Sequence, residues 1–238
     1  MDIYKINTAS ELIQGNTYPG RGIIAGLTPE GKNAVTAYFI MGRSANSRNR
    51  IFVKKGDELF TEPCDISKVE DPSLIIYAAV RQYEDKLIVT NGDQTDTIYD
   101  GLLNGETFSA ALTKREFEPD APNFTPRISA LLNLGEKYSY SMNILKSADA
   151  AGSDCSRFTF DYPALPGLGH FIHTYVCDGN PIPTFQGEPE RIKMDNDINA
   201  FSDAIWNSLD PENKISLYVR YINLETKQYT DKLTNKYM

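Results

Sequence analysis

The chain has 238 residues, 41% of them hydrophobic and 24% charged, with a formal net charge of −8. That length and apolar content suffice for a substantial core. The acidic balance repels nucleic acid and anionic membranes at long range, which argues against both as partners.

Residues 8–15 (TASELIQG) suit one or two helical turns, with Ser10 as the cap and Gly15 as the stop. They belong to an N-terminal extension over residues 1–17. Strands then dominate. Residues 21–28 and 33–41 are apolar and β-favouring, joined by the turn Pro29-Glu30-Gly31-Lys32. A short strand follows over 50–53, with a turn at Lys55-Gly56-Asp57. Residues 74–83 and 86–90 form a second pair with Glu84-Asp85 at its tip. The middle of the chain reads as helical over 96–103 and 107–117, where apolar residues recur three and four apart. Strands resume over 127–134, 138–145, 157–162 and 171–177. The clearest helix covers 195–209, with Ile198, Phe201, Ile205 and Leu209 on one stripe. A last strand covers 214–224, and the polar tail 225–238 carries no clear signal. No repeat, low-complexity tract or linker divides the chain, so one domain is expected over 1–238. Strand pairs with helices grouped between them predict a layered α+β architecture with antiparallel sheet.

No apolar run approaches the roughly 20 residues that span a bilayer. The N-terminus lacks the basic start and apolar middle of a secretory signal, so a cytoplasmic location is expected. Cys64, Cys155 and Cys177 are far apart and form no C-x-x-C pair. Buried free thiols are expected, not a disulfide framework or a zinc ribbon.

Several familiar signals fail on context. Gly20-Arg21-Gly22-Ile23-Ile24-Ala25 matches G-x-G-x-x-A, but a β-like run follows where a dinucleotide site needs a helix. His170 and His173 are the two histidines of the chain. On a strand they point to opposite faces, which disfavours a shared metal. No G-x-S-x-G elbow and no phosphate-binding G-x-x-x-x-G-K-[ST] loop is present. Acid–base chemistry then falls to Tyr, Glu, Asp or Arg-assisted groups.

The unexplained feature is residues 42–50 (GRSANSRNR), with three arginines and no acid in an acidic chain. Arginine's fork of N–H donors matches phosphate and carboxylate. A solvated loop is the competing reading. The polar stretch 90–97 (TNGDQTDT), between a strand pair and a helix, is a natural place for a ligand.

Five motifs together carry a resemblance. Tyr18-Pro19-Gly20-Arg21, the 42–50 run, Ile75-Ile76-Tyr77, Thr90-Asn91-Gly92 with Thr95-Asp96-Thr97-Ile98, and Thr125-Pro126-Arg127-Ile128 stand in this order and at suitable intervals. Over residues 18–134 the chain resembles the archaeal-type IMP cyclohydrolase family. Beyond them it is similar to longer bacterial members, through His173-Thr174-Tyr175, Asp178-Gly179-Asn180-Pro181 and Gly187-Glu188-Pro189.

The resemblance implies a four-layer α-β-β-α sandwich of antiparallel sheets, like N-terminal-nucleophile hydrolases but without the nucleophile. The corresponding position falls near Tyr18. It also implies dehydrative closure of 5-formamidoimidazole-4-carboxamide ribotide to inosine monophosphate, with no cofactor and no metal. In that reading Arg48 stabilises the oxyanion, Tyr77 relays protons to the formyl oxygen, and Glu118 handles the amide proton. Arg21, Arg43, Ser44, Asn46, Asn91, Gly92, Thr95, Asp96 and Arg127 are candidates for phosphate, ribose or base. Asp96 would accept from a ribose hydroxyl or cap its helix, and Arg50 has no assigned role. The expected partner is a small purine ribotide, and a homo-oligomer stays open. Two other readings also remain: a non-catalytic ribotide-binding protein on the same scaffold, against which Arg48 and Tyr77 speak, and an amide hydrolase exposed by processing.

Overall fold

The computed structural model describes residue 2 and residues 4–69 and 76–237. Ile75, and the first two residues of the strand expected over 74–83, lie outside the described residues. In chain order the elements are α1 (Ala9–Ile13), β1 (Gly22–Leu27), β2 (Asn33–Met41), α2 (Ala45–Arg48), β3 (Ile51–Lys55), β4 (Glu58–Glu62), β5 (Tyr77–Tyr83) and β6 (Lys86–Thr90). There follow α3 (Gln94–Leu103), α4 (Phe108–Leu112), β7 (Arg127–Asn133), β8 (Ser139–Ser147), β9 (Cys155–Pro163) and β10 (Leu168–His173). The chain closes with β11 (Glu190–Lys193), α5 (Ile198–Ser208), β12 (Lys214–Asn223) and β13 (Tyr229–Asn235).

The strands form two antiparallel sheets. One has six strands in the order β11-β10-β1-β2-β12-β13, and the other seven in the order β3-β4-β5-β6-β7-β8-β9. Alternation along β2 shows how they stack. Ala34, Tyr38 and Ile40 enter a central apolar layer, while Val35, Ala37, Phe39 and Met41 enter an outer one. The central layer unites the sheets, with Ile23 and Tyr218 meeting Val89, Ile128 and Met142. Ile13, Phe201 and Ile205 of α1 and α5 cover the outer face of the six-stranded sheet. Ile98, Leu102, Phe108 and Leu112 of α3 and α4 cover Ile88 and Leu131 of the seven-stranded sheet. Three apolar layers between four backbone layers make an α-β-β-α sandwich. The central strands are buried on both faces, so their sequences read as continuous apolar runs rather than as alternation.

Several local expectations change. Thr8, not Ser10, caps α1: its side chain accepts from Glu11 N while Glu11 reaches back to Thr8 N, and Ser10 lies inside the helix. Beta-strands β4, β11 and β13 were not anticipated, because Glu58–Glu62, Glu190–Lys193 and Tyr229–Asn235 are short or rich in polar residues. The strand expected over 171–177 is β10, which ends at His173. Beyond it Thr174 N donates to Arg21 O (3.0 Å) and Tyr175 N to Pro19 O (3.2 Å). The helix expected over 107–117 stops at Leu112. All three thiols are free, but only Cys155 is buried; Cys64 and Cys177 are exposed. Among the described residues no helix is long and apolar enough to cross a membrane.

Candidate active site

One cavity of about 600 Å³ opens where β1 begins, β2 ends and β7 begins. Its lining includes Tyr18, Arg21, Arg43, Ser44, Asn46, Ser47 and Arg50 from the first fifty residues, and Glu118, Asp120, Asn123, Thr125, Tyr175 and Ile182 from later loops. Three guanidiniums face two carboxylates, so this cavity is locally cationic in an acidic protein.

Local backbone geometry places each group. Gly20 has φ +81°, and a Cβ there would stand 2.1 Å from Thr174 Oγ1, so only glycine lets the chain turn against Thr174 and Tyr175 and deliver Arg21. Gly42 lies against the carbonyl of Ser47, and a Cβ there would be 2.7 Å from it. That contact folds α2 back onto the end of β2. Ser44 caps α2, accepting from Ser47 N. Glu118 is fixed by its own N–H to Thr125 O (2.8 Å). Asp120 closes that loop, accepting from Thr125 N (2.6 Å) and pairing with the Thr125 hydroxyl. The same hydroxyl lies 2.6 Å from Tyr175 OH.

The charged centre of the cavity is Arg21, Arg50 and Glu118, each at most 7% exposed. Arg21 Nη2 stands 3.9 Å from Glu118 Oε2. The Nε of Arg21 and the Nε of Arg50 have no hydrogen-bond partner among the described residues. Burial raises the Glu118 carboxyl above the ordinary carboxylate range, against the opposing pull of Arg21, Arg127 and Arg50. Burial, then the neighbouring Arg21 charge, lowers the pKa of Arg50. For Arg21, burial also works against the charge, but Glu118 and the surrounding tyrosines carry its pKa above the usual value. Behind this group, Tyr77 OH and Tyr38 OH lie 2.8 Å apart, both buried. Burial, then Tyr77, holds the Tyr38 phenol well above its ordinary pKa.

Of the residues singled out in the sequence, Arg21, Arg43, Ser44, Asn46 and Glu118 line the cavity. Tyr77 does not line it, but is an electrostatic neighbour of both Arg21 and Arg50. Arg48 turns away: its Nε donates to Gly42 O (3.0 Å) and its Nη2 to Asn213 Oδ1 (3.0 Å), tying α2 to the loop before β12. Arg50, left without a role by the sequence, occupies the cavity instead. The end of α2 separates them: Arg48 is its last residue, Asn49 caps it, and Arg50 precedes β3.

Asn91, Gly92 and Thr95 also lie outside the cavity lining. Asn91 donates to Pro126 O and accepts from Ile128 N, which locks the β6–α3 turn onto β7. Thr95 Oγ1 donates to Gly92 O (3.2 Å). Gly92 leaves room for Arg127, whose Nη1 reaches Asp93 Oδ1 (2.6 Å) and Gln94 Oε1 (2.9 Å). Arg127 acts on Glu118 through its charge. Asp96 is exposed and pairs with Arg81 (2.9 Å). Tyr175 and Thr125 stood inside quoted motifs, and Ser47 inside the 42–50 run, without being assigned a role. Asp120 and Asn123 follow Glu118 in the same loop and, like Ile182, were given no role. His170 and His173 do face opposite ways: His170 Nδ1 meets Tyr140 OH (2.7 Å), while His173 stacks on Phe171, donates from Nδ1 to Tyr175 O (2.6 Å) and places Nε2 3.3 Å from Glu190 Oε2.

Residues 18–228 match the family described as IMP cyclohydrolase-like protein. The chain belongs to this family. A relative from Methanopyrus kandleri named IMP cyclohydrolase is 34% identical over 185 residues, covering 71% of this chain and 89% of that protein. One of the same name from Methanococcus aeolicus is 27% identical over 164 residues, covering 67% and 75%. Another from Methanocaldococcus jannaschii is 32% identical over 125 residues, covering 51% and 59%. Every residue that lines the cavity falls within the family match.

Proposed function

We propose that this protein is an IMP cyclohydrolase, closing 5-formamidoimidazole-4-carboxamide ribotide to inosine monophosphate in the last step of purine synthesis. The observation that carries the reading, beside family membership, is the buried Glu118 between Arg21 and Arg50 in the cationic cavity. Acidic composition and three free thiols fit a cytoplasmic enzyme.

The reaction forms one C–N bond, from the carboxamide nitrogen to the formyl carbon, and expels the formyl oxygen as water. One proton leaves the carboxamide nitrogen and one the formamide nitrogen; both end on that water. No electron is gained or lost. Holding the two groups in the reactive rotamer supplies much of the rate. Glu118, with its raised pKa, is a suitable base for the carboxamide proton. The oxygen of the tetrahedral intermediate needs preformed donors, and the guanidiniums of Arg50 and Arg21 line the cavity. We assign the oxyanion role to Arg50 in place of Arg48, whose guanidinium is committed to Gly42 and Asn213. Glu118, protonated once it has taken the carboxamide proton, is assigned to return the proton to the departing oxygen, while Tyr77, hydrogen-bonded to Tyr38 outside the lining, supports Arg21 and Arg50 electrostatically. Arg43, Ser44, Asn46 and Ser47 are assigned to the ribotide phosphate, with Arg43 leaving its present partners Asp178 and Gly179 O.

The test is direct. The purified protein is mixed with the formylated ribotide, and inosine monophosphate is followed by chromatography. Product above the uncatalysed rate is expected, without added ATP. Tight ribotide binding with no product would replace the enzyme by the binding-protein reading.

A further inference from the structure

The two sheets have four edges, and three of them are guarded. On the six-stranded sheet, Asn7 closes β11: its N–H donates to Arg191 O (3.0 Å) and its carbonyl accepts from Lys193 N (2.7 Å). Edge strand β13 has its charged side chains tied back, Asp231 to Lys54 (2.6 Å) and Lys232 to Asp203 (2.7 Å). On the seven-stranded sheet, the Asn235 side chain closes β3, accepting from Phe52 N and donating to Phe52 O (both 3.0 Å). The fourth edge, β9, is open. It is nine residues long and pairs on one side only, with β8. Among the described residues no other segment hydrogen-bonds to its backbone over 156–163. A row of unpaired N–H and C=O groups of this length is a template for another strand.

The side chains say which strand. Phe160 and Tyr162 pack on the central layer. Phe158 has the same parity and stands opposite Ile144, yet it stays 45% exposed. Arg157, Thr159 and Asp161 take the outer face and are exposed. These positions are symmetric about Thr159, the middle residue of β9. Laid antiparallel on a second copy about a twofold axis through Thr159, Arg157 falls opposite Asp161 and Phe158 opposite Phe160, each pair twice. Opposed residues then differ by an even number. Both copies keep their outer faces on one side, and the two seven-stranded sheets run on as one. Registers centred on Phe158 or Phe160 set Arg157 against Thr159 or Pro163 and lose the charge pairs.

We propose that β9 is the interface of a homodimer of this chain, joined edge to edge in the register centred on Thr159. The opposite-charge and aromatic pairs are the kinds that stabilise neighbouring strands. The twofold pairing uses up both edges, so the assembly closes at two chains.

Sedimentation equilibrium on the full chain tests it. The mass of wild type is expected to rise with concentration from one chain towards two and no further. Arg157→Glu and Asp161→Lys are each expected to weaken association at least about tenfold, because each sets like charges face to face twice. The double variant restores opposite charges across the axis and is expected to associate within about threefold of wild type. The two residues stand about 13 Å apart along one strand, so neither rescues the other within a chain, and a merely structural effect would not be reversed. Thr159→Cys keeps both charges and carries the test if the reversals do not fold. Mild oxidation is expected to link it into dimers on non-reducing gels, beyond any formed by wild type through Cys64, Cys155 and Cys177. A wild type that stays at one chain mass from micromolar to millimolar concentration overturns the proposal. So does a dimer unaffected by either reversal, which uses another surface, a folded double variant that stays dissociated, or a Thr159→Cys that does not cross-link.

Discussion

Replacing Arg50 and Arg48 separately by Met discriminates the two candidate cations. Both lie in one polar run, but the structure gives them different work. Arg50 is 7% exposed in the cavity with its Nε unpaired, while Arg48 makes two 3.0 Å bonds to Gly42 and Asn213. Loss of one preorganised oxyanion donor costs about 10²–10³ in kcat, or roughly 3–4 kcal/mol. Arg50→Met is therefore expected to lower kcat for the formylated ribotide by at least about a hundredfold. It should also move the acid limb of the pH–rate profile upward, because Arg50 is one of the charges that holds the Glu118 pKa down. Arg48→Met should leave kcat within about threefold and instead cost about 1.5–3 kcal/mol in urea unfolding, the usual value of hydrogen bonds from a charged group. Steady-state kinetics and unfolding curves on the same two preparations decide it. A hundredfold loss in a stably folded Arg48→Met, with Arg50→Met near wild type, refutes the assignment.

Three further outcomes are expected. The acid limb of kcat/KM should fall above the ordinary Glu pKa of about 4.3, because the base must be ionised and burial raises it; Glu118→Gln should abolish the limb and most of the activity, and an unaltered limb would exclude Glu118 as the base. Burial lowers the His170 pKa from 6.5 to about 4, so the folded state favours the neutral ring. That stabilisation is complete above about pH 6.5 and is lost as pH falls towards 4, amounting to about 3 kcal/mol at ~1.4 kcal/mol per unit; urea unfolding against pH should show it in wild type and not in His170→Phe, which keeps the stack on Tyr162. Gly20→Ala, at φ +81° with no room for a Cβ, should destabilise by roughly 1–3 kcal/mol and raise KM by displacing Arg21; unchanged stability and KM would show that the turn tolerates a side chain.

Much of the fold was legible in the chain because its signals are local. The 29–32 turn punctuates two apolar runs, and β1 and β2 follow on either side of it. The 3.6-residue stripe of Ile198, Phe201 and Ile205 marks α5, which buries Phe201 and Ile205 against the six-stranded sheet. Strands β11 and β13 escaped notice because an edge strand borrows its hydrogen bonds from a neighbour and needs little apolar surface of its own. The site divides in the same way. Residue chemistry pointed to the 42–50 run with Arg43, since an arginine cluster in an acidic chain demands a local reason, and the resemblance added Arg21 and Glu118. Direction did not follow from chemistry. Asn91 and Thr95 look like ligand groups, yet they satisfy backbone atoms of the β6–α3 turn.

By itself, then, the sequence determined the family, the alternation of strands and helices, and the kind of groups that line the cavity. Only the tertiary structure decided which guanidinium faces the cavity. Arg48 and Arg50 are two residues apart and chemically alike. The turn of α2, held by Gly42 against Ser47, sends one to Asn213 and the other to Glu118's neighbourhood. That choice depends on Asn213, 165 positions from Arg48, and on Arg21, Tyr77 and Glu118 around Arg50, and no pattern within the run records them.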